Sequence, residues 1–207
     1  MKSFHVGIKS IFMVVLVLAF LIPIDVFAQG PFYAALKPGI YSPQSNDLDG
    51  YQTGFNGEVV LGYRFTPNIA AEVGIGYFNT EGEETVGGAT YVGREFDFHV
   101  YSVAFTLKAI LPYKKWEFFG LGGAGVYIVS TPYDSDYYDE DNYDAVLGGY
   151  WGAGIHYHIT PKIFVGVEGK YLWTDKAKIQ YEESGPPLEV ELKMDGIIAT
   201  AVFGIRF

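Results

Sequence analysis

The stretch GFNGEVVLGYRFTPNIAAEVGIGYFN, residues 54–79, reads as two alternating runs hinged at a proline. In the first run Phe55, Val59, Leu61, Tyr63 and Phe65 share one parity, and Glu58 and Arg64 take the other. In the second, Ile69, Ala71, Val73, Ile75 and Tyr77 alternate with Glu72. Side chains repeating every second residue mark a strand with one apolar face. The hinge TPN, Thr66 to Asn68, reads as a turn, because Pro67 has a fixed φ and no N–H to carry a ladder onward. The stretch is therefore expected to be an antiparallel hairpin with all its charges on one face.

Working outward, the same alternation recurs at 31–42, 54–65, 69–79, 97–111, 116–130, 146–159, 163–174 and 194–207, which makes eight expected strands. PYKK (112–115) and TPK (160–162) read as two more tight turns, with proline fixing each; the four remaining connections are long polar loops. Tyr101, Val103, Phe105 and Leu107 oppose Lys108, and Ile163, Val165, Val167, Tyr171 and Trp173 oppose Glu168 and Lys170. Lys37, Glu117 and Arg206 obey the same rule. Short turns at one end, long loops at the other and an even strand number describe an all-β fold. The fold expected is an eight-stranded antiparallel up-and-down transmembrane β-barrel with short periplasmic turns and long extracellular loops.

Parity alone does not say which face is inside, since a water-soluble barrel of the lipocalin sort puts its apolar parity inward. The aromatics decide the expectation. Phe65, Trp116, Tyr157 and Phe207 lie on the apolar parity toward one end of the strands, and Tyr77, Tyr101, Trp151 and Trp173 toward the other, as interfacial girdles would. A Lys or Arg facing lipid at mid-membrane costs about 2–4 kcal/mol, so the charged parity is expected to face the lumen. It comprises Lys37, Glu58, Arg64, Glu72, Lys108, Glu117, Glu168, Lys170 and Arg206, five cations against four anions, expected to pair with one another. Glycines 62, 74, 76, 123, 125, 152, 154, 166 and 204 share that parity and leave the long side chains room.

The chain has 207 residues, enough for one domain, and no cysteine. Its 24 acids outnumber 14 bases, so nucleic acid is not an expected partner. Lys2 and Lys9, the apolar run Ile11–Ile24 and the small residues Val26 and Ala28 read as a secretory signal over 1–28, removed on export and leaving a barrel domain over 29–207. That apolar run is short of the roughly 20 residues a spanning helix requires.

Four motifs invite other chemistry. Gly120, Gly122 and Gly125 have dinucleotide-fingerprint spacing, but VYIVS and an acidic loop follow where a helix is required. The loop YDSDYYDEDNYDA (133–145) carries Asp134, Asp136, Asp139, Glu140, Asp141 and Asp144. It is a weak candidate for divalent cations that lacks the EF-hand glycine and glutamate, and a solvated acidic loop is the plainer reading. His156 and His158 sit two apart on the inner parity with no third ligand in view. His99 and Ser102 have the odd spacing that sends them to opposite faces.

LGYRFTPNIAAEVGIGYF (61–78), FFGLGGAGVYIVS (118–130) and GYWGAGIHYHITPKIFVGVEGKYLWTD (149–175) resemble the small eight-stranded outer-membrane barrels of Gram-negative bacteria, the group of the OmpA barrel domain, OmpX, OmpW and the opacity proteins. The resemblance implies a C-terminal signal for the outer-membrane assembly machinery, which Phe203, Ile205 and Phe207 fit. With nothing following Phe207, no periplasmic peptidoglycan-binding domain is expected. It also implies a setting of outer-membrane lipid and lipopolysaccharide. In the group's lipid A deacylase barrels a histidine and a serine share one strand face, a pattern that His99 and Ser102 do not meet. The expected protein is not an enzyme and holds no cofactor; its role is structural or one of surface interaction, with acidic, tyrosine-rich loops facing divalent cations or a cationic partner. The rival expectation is an OmpW-like narrow channel for small hydrophobic molecules, for which Tyr33, Phe119, Leu121, Tyr127, Phe164 and Leu172 on the inner parity would supply the lining.

Overall fold

The computed structural model describes residues 31–48, 50–80, 83–86, 89–92, 98–131, 142–181 and 188–207. The signal expected over residues 1–28 lies outside them. Twelve strands follow in chain order: β1 (Phe32–Pro43), β2 (Gly54–Thr66), β3 (Ile69–Thr80), β4 (Glu83–Val86), β5 (Ala89–Val92), β6 (Phe98–Tyr113), β7 (Trp116–Thr131), β8 (Asn142–His158), β9 (Ile163–Thr174), β10 (Ala177–Tyr181), β11 (Leu188–Leu192) and β12 (Gly196–Arg206). Eight of them close an antiparallel barrel in the order β1-β12-β9-β8-β7-β6-β3-β2. The first strand meets the last, which removes both sheet edges.

The tight turns all lie at the end where β1 begins and β12 finishes. Between β2 and β3, Thr66 Oγ1 accepts from the Asn68 amide, and between β8 and β9 Thr160 Oγ1 accepts from the amides of Lys162 and Ile163. Threonine before proline thus supplies the local bonds that hold both corners. PYKK differs from the expectation: Pro112 stays in the ladder opposite Glu117, and the turn is Lys114–Lys115, with Lys114 at φ 57°. Proline is tolerated there because the ladder ends one pair later, at Tyr113↔Trp116.

Two of the long connections carry structure of their own. β4 pairs β5, and β10 pairs β11, each as a two-stranded hairpin beyond the barrel rim. A third contains a short 3-10 turn over Asn46–Leu48. β8 starts at Asn142, earlier than alternation places it, because its first residues extend the ladder with the far end of β7.

The face that each parity takes follows from exposure. Leu36, Val59, Leu61, Val73, Phe105, Leu107 and Val167 are about half exposed, whereas Lys37, Glu72, Lys108 and Glu168 are no more than 3% exposed. The barrel is apolar outside and charged inside. Such an exposed apolar band is far larger than any water-soluble monomer carries and matches a cylinder bathed in hydrocarbon.

Candidate functional site: the filled lumen

An eight-stranded barrel is only wide enough for side chains to fill, so the site is what the inward parity builds. It forms three layers.

The middle layer is ionic. Glu72 of β3 meets Lys37 of β1 at 2.9 Å and Lys108 of β6 at 2.8 Å, and the Tyr33 hydroxyl donates to it at 2.8 Å. Glu168 of β9 meets Lys37 at 3.1 Å, Lys108 at 2.9 Å and Lys170 at 3.3 Å. Lys170 also reaches Glu58 of β2 at 2.6 Å. Three lysines and three glutamates are thus mutually neutralised where water does not reach, the condition under which buried ions are tolerated. Aromatic rings shield the lysines: Lys108 Nζ stands 4.3 Å from the centre of the Phe119 ring, and Lys170 Nζ 5.2 Å from that of Tyr150. Tyr150 is anchored in turn, its hydroxyl 2.6 Å from Thr106 Oγ1. Glycine makes these packings possible, since a Cβ on Gly123 would overlap the Tyr150 ring and one on Gly62 would overlap Tyr33.

The second layer lies at the tight-turn mouth. Glu117 of β7 accepts from Arg64 Nη1 at 2.6 Å, and Arg206 Nη2 lies 3.5 Å from the same oxygen. His158 Nε2 is 3.1 Å from it as well, off hydrogen-bond alignment. Arg64 also donates to the carbonyls of Thr66 and Pro67, which ties this cluster to its own turn. His156 is held by rings, with Phe119 at 4.5 Å and Phe164 at 4.8 Å. A cavity of about 10 Å³, room for one water, remains between Arg64, Glu117, His156 and Phe164.

The third layer, toward the long loops, is apolar. Tyr41 packs on Phe78 with ring centres 4.4 Å apart, and Phe98, Val100, Val129 and Leu172 are at most 1% exposed beside them. Leu48 and Met194 descend from the first and last long connections to close this layer. The closure is hydrogen-bonded: Tyr41 donates to the Met194 carbonyl at 3.1 Å, and the Met194 amide donates to Thr174 Oγ1 at 2.9 Å. The Thr174 amide donates to Asp195 Oδ1 at 2.9 Å, and the Gln44 amide to the Asp195 carbonyl at 2.8 Å.

The nine charged residues of the inward parity thus divide into six at the centre and three at the mouth. Alternation places Met194 at the start of the eighth expected strand, whereas it lies just before β12, and it did not reveal Leu48, an apolar residue between Asp47 and Asp49 in a polar connection. The side chains that would line a greasy channel, Tyr33, Phe119, Leu121, Tyr127, Phe164 and Leu172, are packed as core.

Asp134, Asp136, Asp139, Glu140 and Asp141 lie outside the described residues, and Asp144 belongs to β8 rather than to a loop, its Oδ1 accepting from the Ala145 amide. Among the described residues no group of three or more potential ligands gathers in metal-binding geometry. Gly120, Gly122 and Gly125 are in the middle of β7, which runs on as strand to Thr131. His99 accepts or donates at 2.7 Å with the Tyr77 hydroxyl, while Ser102 turns inward against Gly76. Phe203 and Ile205 face outward on β12, and Phe207 follows its last residue.

The same architecture occurs in known proteins. Neisserial surface protein A aligns with a TM-score of 0.62 at 15% identity, over 86% of this chain and 97% of that one. A major outer membrane protein from Thermus thermophilus aligns at 0.52 and 13%, over 84% and 97%. The outer membrane protein AlkL, solved in DMPC lipid bilayers, aligns at 0.51 and 14%, over 87% and 92%. At these identities the likeness is one of fold. No curated protein matches the chain in sequence. The model of the outer membrane protein beta-barrel domain matches residues 13–207, and the chain belongs to that family.

Proposed function

We propose that this protein is a closed, non-conducting barrel of the Gram-negative outer membrane, serving envelope structure and surface interaction rather than transport. The observation that supports this reading most is the continuity of the filling: a charge-balanced centre, an apolar stopper above it, and a cavity of only about 10 Å³ toward the mouth. A conduit for hydrophobic solutes needs an open greasy path, and here the greasy side chains are already in contact with one another.

On this reading the functional surface is the loop end. The acidic, tyrosine-rich stretch 133–145 supplies contact area and negative charge to a cationic surface partner or to divalent ions between lipopolysaccharide headgroups. Phe203, Ile205 and Phe207 serve the assembly machinery before the barrel is complete.

Planar-bilayer recording of the refolded protein tests the proposal. The wild type is expected to give no steady conductance, and Glu72→Ala to admit leak currents by leaving Lys37 and Lys108 short of a counter-charge. A stable wild-type conductance, or uptake of a hydrophobic solute that ceases on deletion, would overturn the closed reading.

A further inference from the structure

The seam where β1 meets β12 is the closure that turns a sheet into a barrel, and it has a flaw. The β1–β12 ladder runs from Tyr33↔Arg206 to Leu36↔Phe203, skips Lys37 and Pro38, and resumes at Gly39↔Thr200 in the same register. The cause is covalent. Pro38 has no N–H to donate to β12, so one rung is missing at about mid-strand. On its other side β1 pairs with β2 without interruption, including Pro38↔Gly57.

Directly beside the missing rung stands Lys37, 0% exposed, whose Nζ crosses the lumen to Glu168 of β9. β9 is the neighbour of β12, so this ion pair joins the two sides of the seam. A second pair does the same: Lys170 of β9 reaches Glu58 of β2, and Glu58 is the register partner of Lys37. Lys37 is bonded on its own side too, to Glu72 of β3. Lys108 differs, since its contacts to Glu72 and Glu168 start from β6 on the far wall.

We propose that the closing seam is latched through the lumen by the crossings Lys37–Glu168 and Lys170–Glu58, which hold β1 and β2 to β9, the ladder partner of β12, where the β1–β12 backbone ladder is broken. The central charges are then a closure device, not only a filling. Because Glu168 lies 131 residues from Lys37 and Glu58 lies 112 from Lys170, both crossings join strands from opposite ends of the chain and belong to the assembled barrel, not to any local hairpin. The low-dielectric interior makes each crossing worth forming only with its partner present.

Amide hydrogen exchange, resolved strand by strand on the folded protein in lipid bilayers, tests this. Lys37→Met and Lys170→Met are expected to speed exchange at least about tenfold along β1 and β12 while the β6–β7 ladder keeps wild-type protection. Lys108→Met, matched in chemistry and burial, is expected to produce no such concentration at the seam. Should Lys37→Met fail to fold, Pro38→Ala provides an independent readout. It restores an N–H at the broken rung, and it is expected to slow seam exchange in the wild-type background and to rescue folding of Lys37→Met. Loosening that is uniform around the barrel, seam loosening in Lys108→Met equal to that in Lys37→Met, or a seam unaffected by Pro38→Ala would each overturn the latch.

Discussion

The two ionic clusters of this lumen both neutralise buried glutamates with basic side chains, and they differ in which cations they use and in their access to water. At the centre, Lys37, Lys108 and Lys170 face Glu58, Glu72 and Glu168 with side-chain exposures of 9% or less. At the mouth, Arg64, Arg206 and His158 converge on the single carboxylate Glu117, and Arg206 is 30% exposed. Desolvation makes an ion dependent on its partners, because the field of the missing charge has nothing else to answer it. The mouth cluster keeps water as a substitute partner; the central one has none. Arginine suits the mouth, where its fork reaches a carboxylate and two turn carbonyls at once, and lysine suits the centre, where a compact charge shared between carboxylates leaves room for rings.

That contrast is open to direct attack. The largest effect is expected for Glu168→Gln, which keeps the shape but leaves three lysines against two carboxylates. It should lower unfolding stability by about 3–5 kcal/mol, read as the shift in urea midpoint or in the melting of the compact form on gels. A loss below about 1 kcal/mol would show that water reaches the centre after all. Arg64→Ala at the mouth is expected to cost about 1 kcal/mol, and 1 M salt should shrink that cost while leaving the Glu168→Gln cost in place. Equal salt sensitivity would erase the distinction between the clusters. The smallest effect is expected for the matched double replacement Lys170→Met with Glu58→Leu, which removes both ions and leaves apolar volume, so its cost should fall below the sum of the single replacements. A double-mutant loss equal to that sum would mean that the two residues do not act on each other.

A third region sharpens the same lesson. The apolar stopper fills the loop end of the lumen with no ion pair, using Leu48 from a connection that looks merely polar in sequence and Met194 from just before β12. Strand alternation is a local signal and therefore readable: the hairpin 54–79, the eight barrel strands and the parity of every central charge follow from a repeat of two. The small hairpins β4–β5 and β10–β11 were not readable that way, because four- and five-residue segments in loops carry too little alternation to separate from polar connection. Nor was Pro112, whose place depends on where the β6–β7 ladder happens to end.

The sequence by itself determined that this chain is a membrane barrel: eight alternating runs with no charge on the apolar parity, together with aromatic girdles, leave no other economical fold. Only the tertiary structure decided which cation meets which anion, that six central charges and three mouth charges form separate clusters, and that the seam between β1 and β12 lacks a rung beside Lys37. The physical reason is range. A strand's faces are set by neighbours two residues away, whereas Lys37 and Glu168 are 131 residues apart and become partners only when the barrel closes.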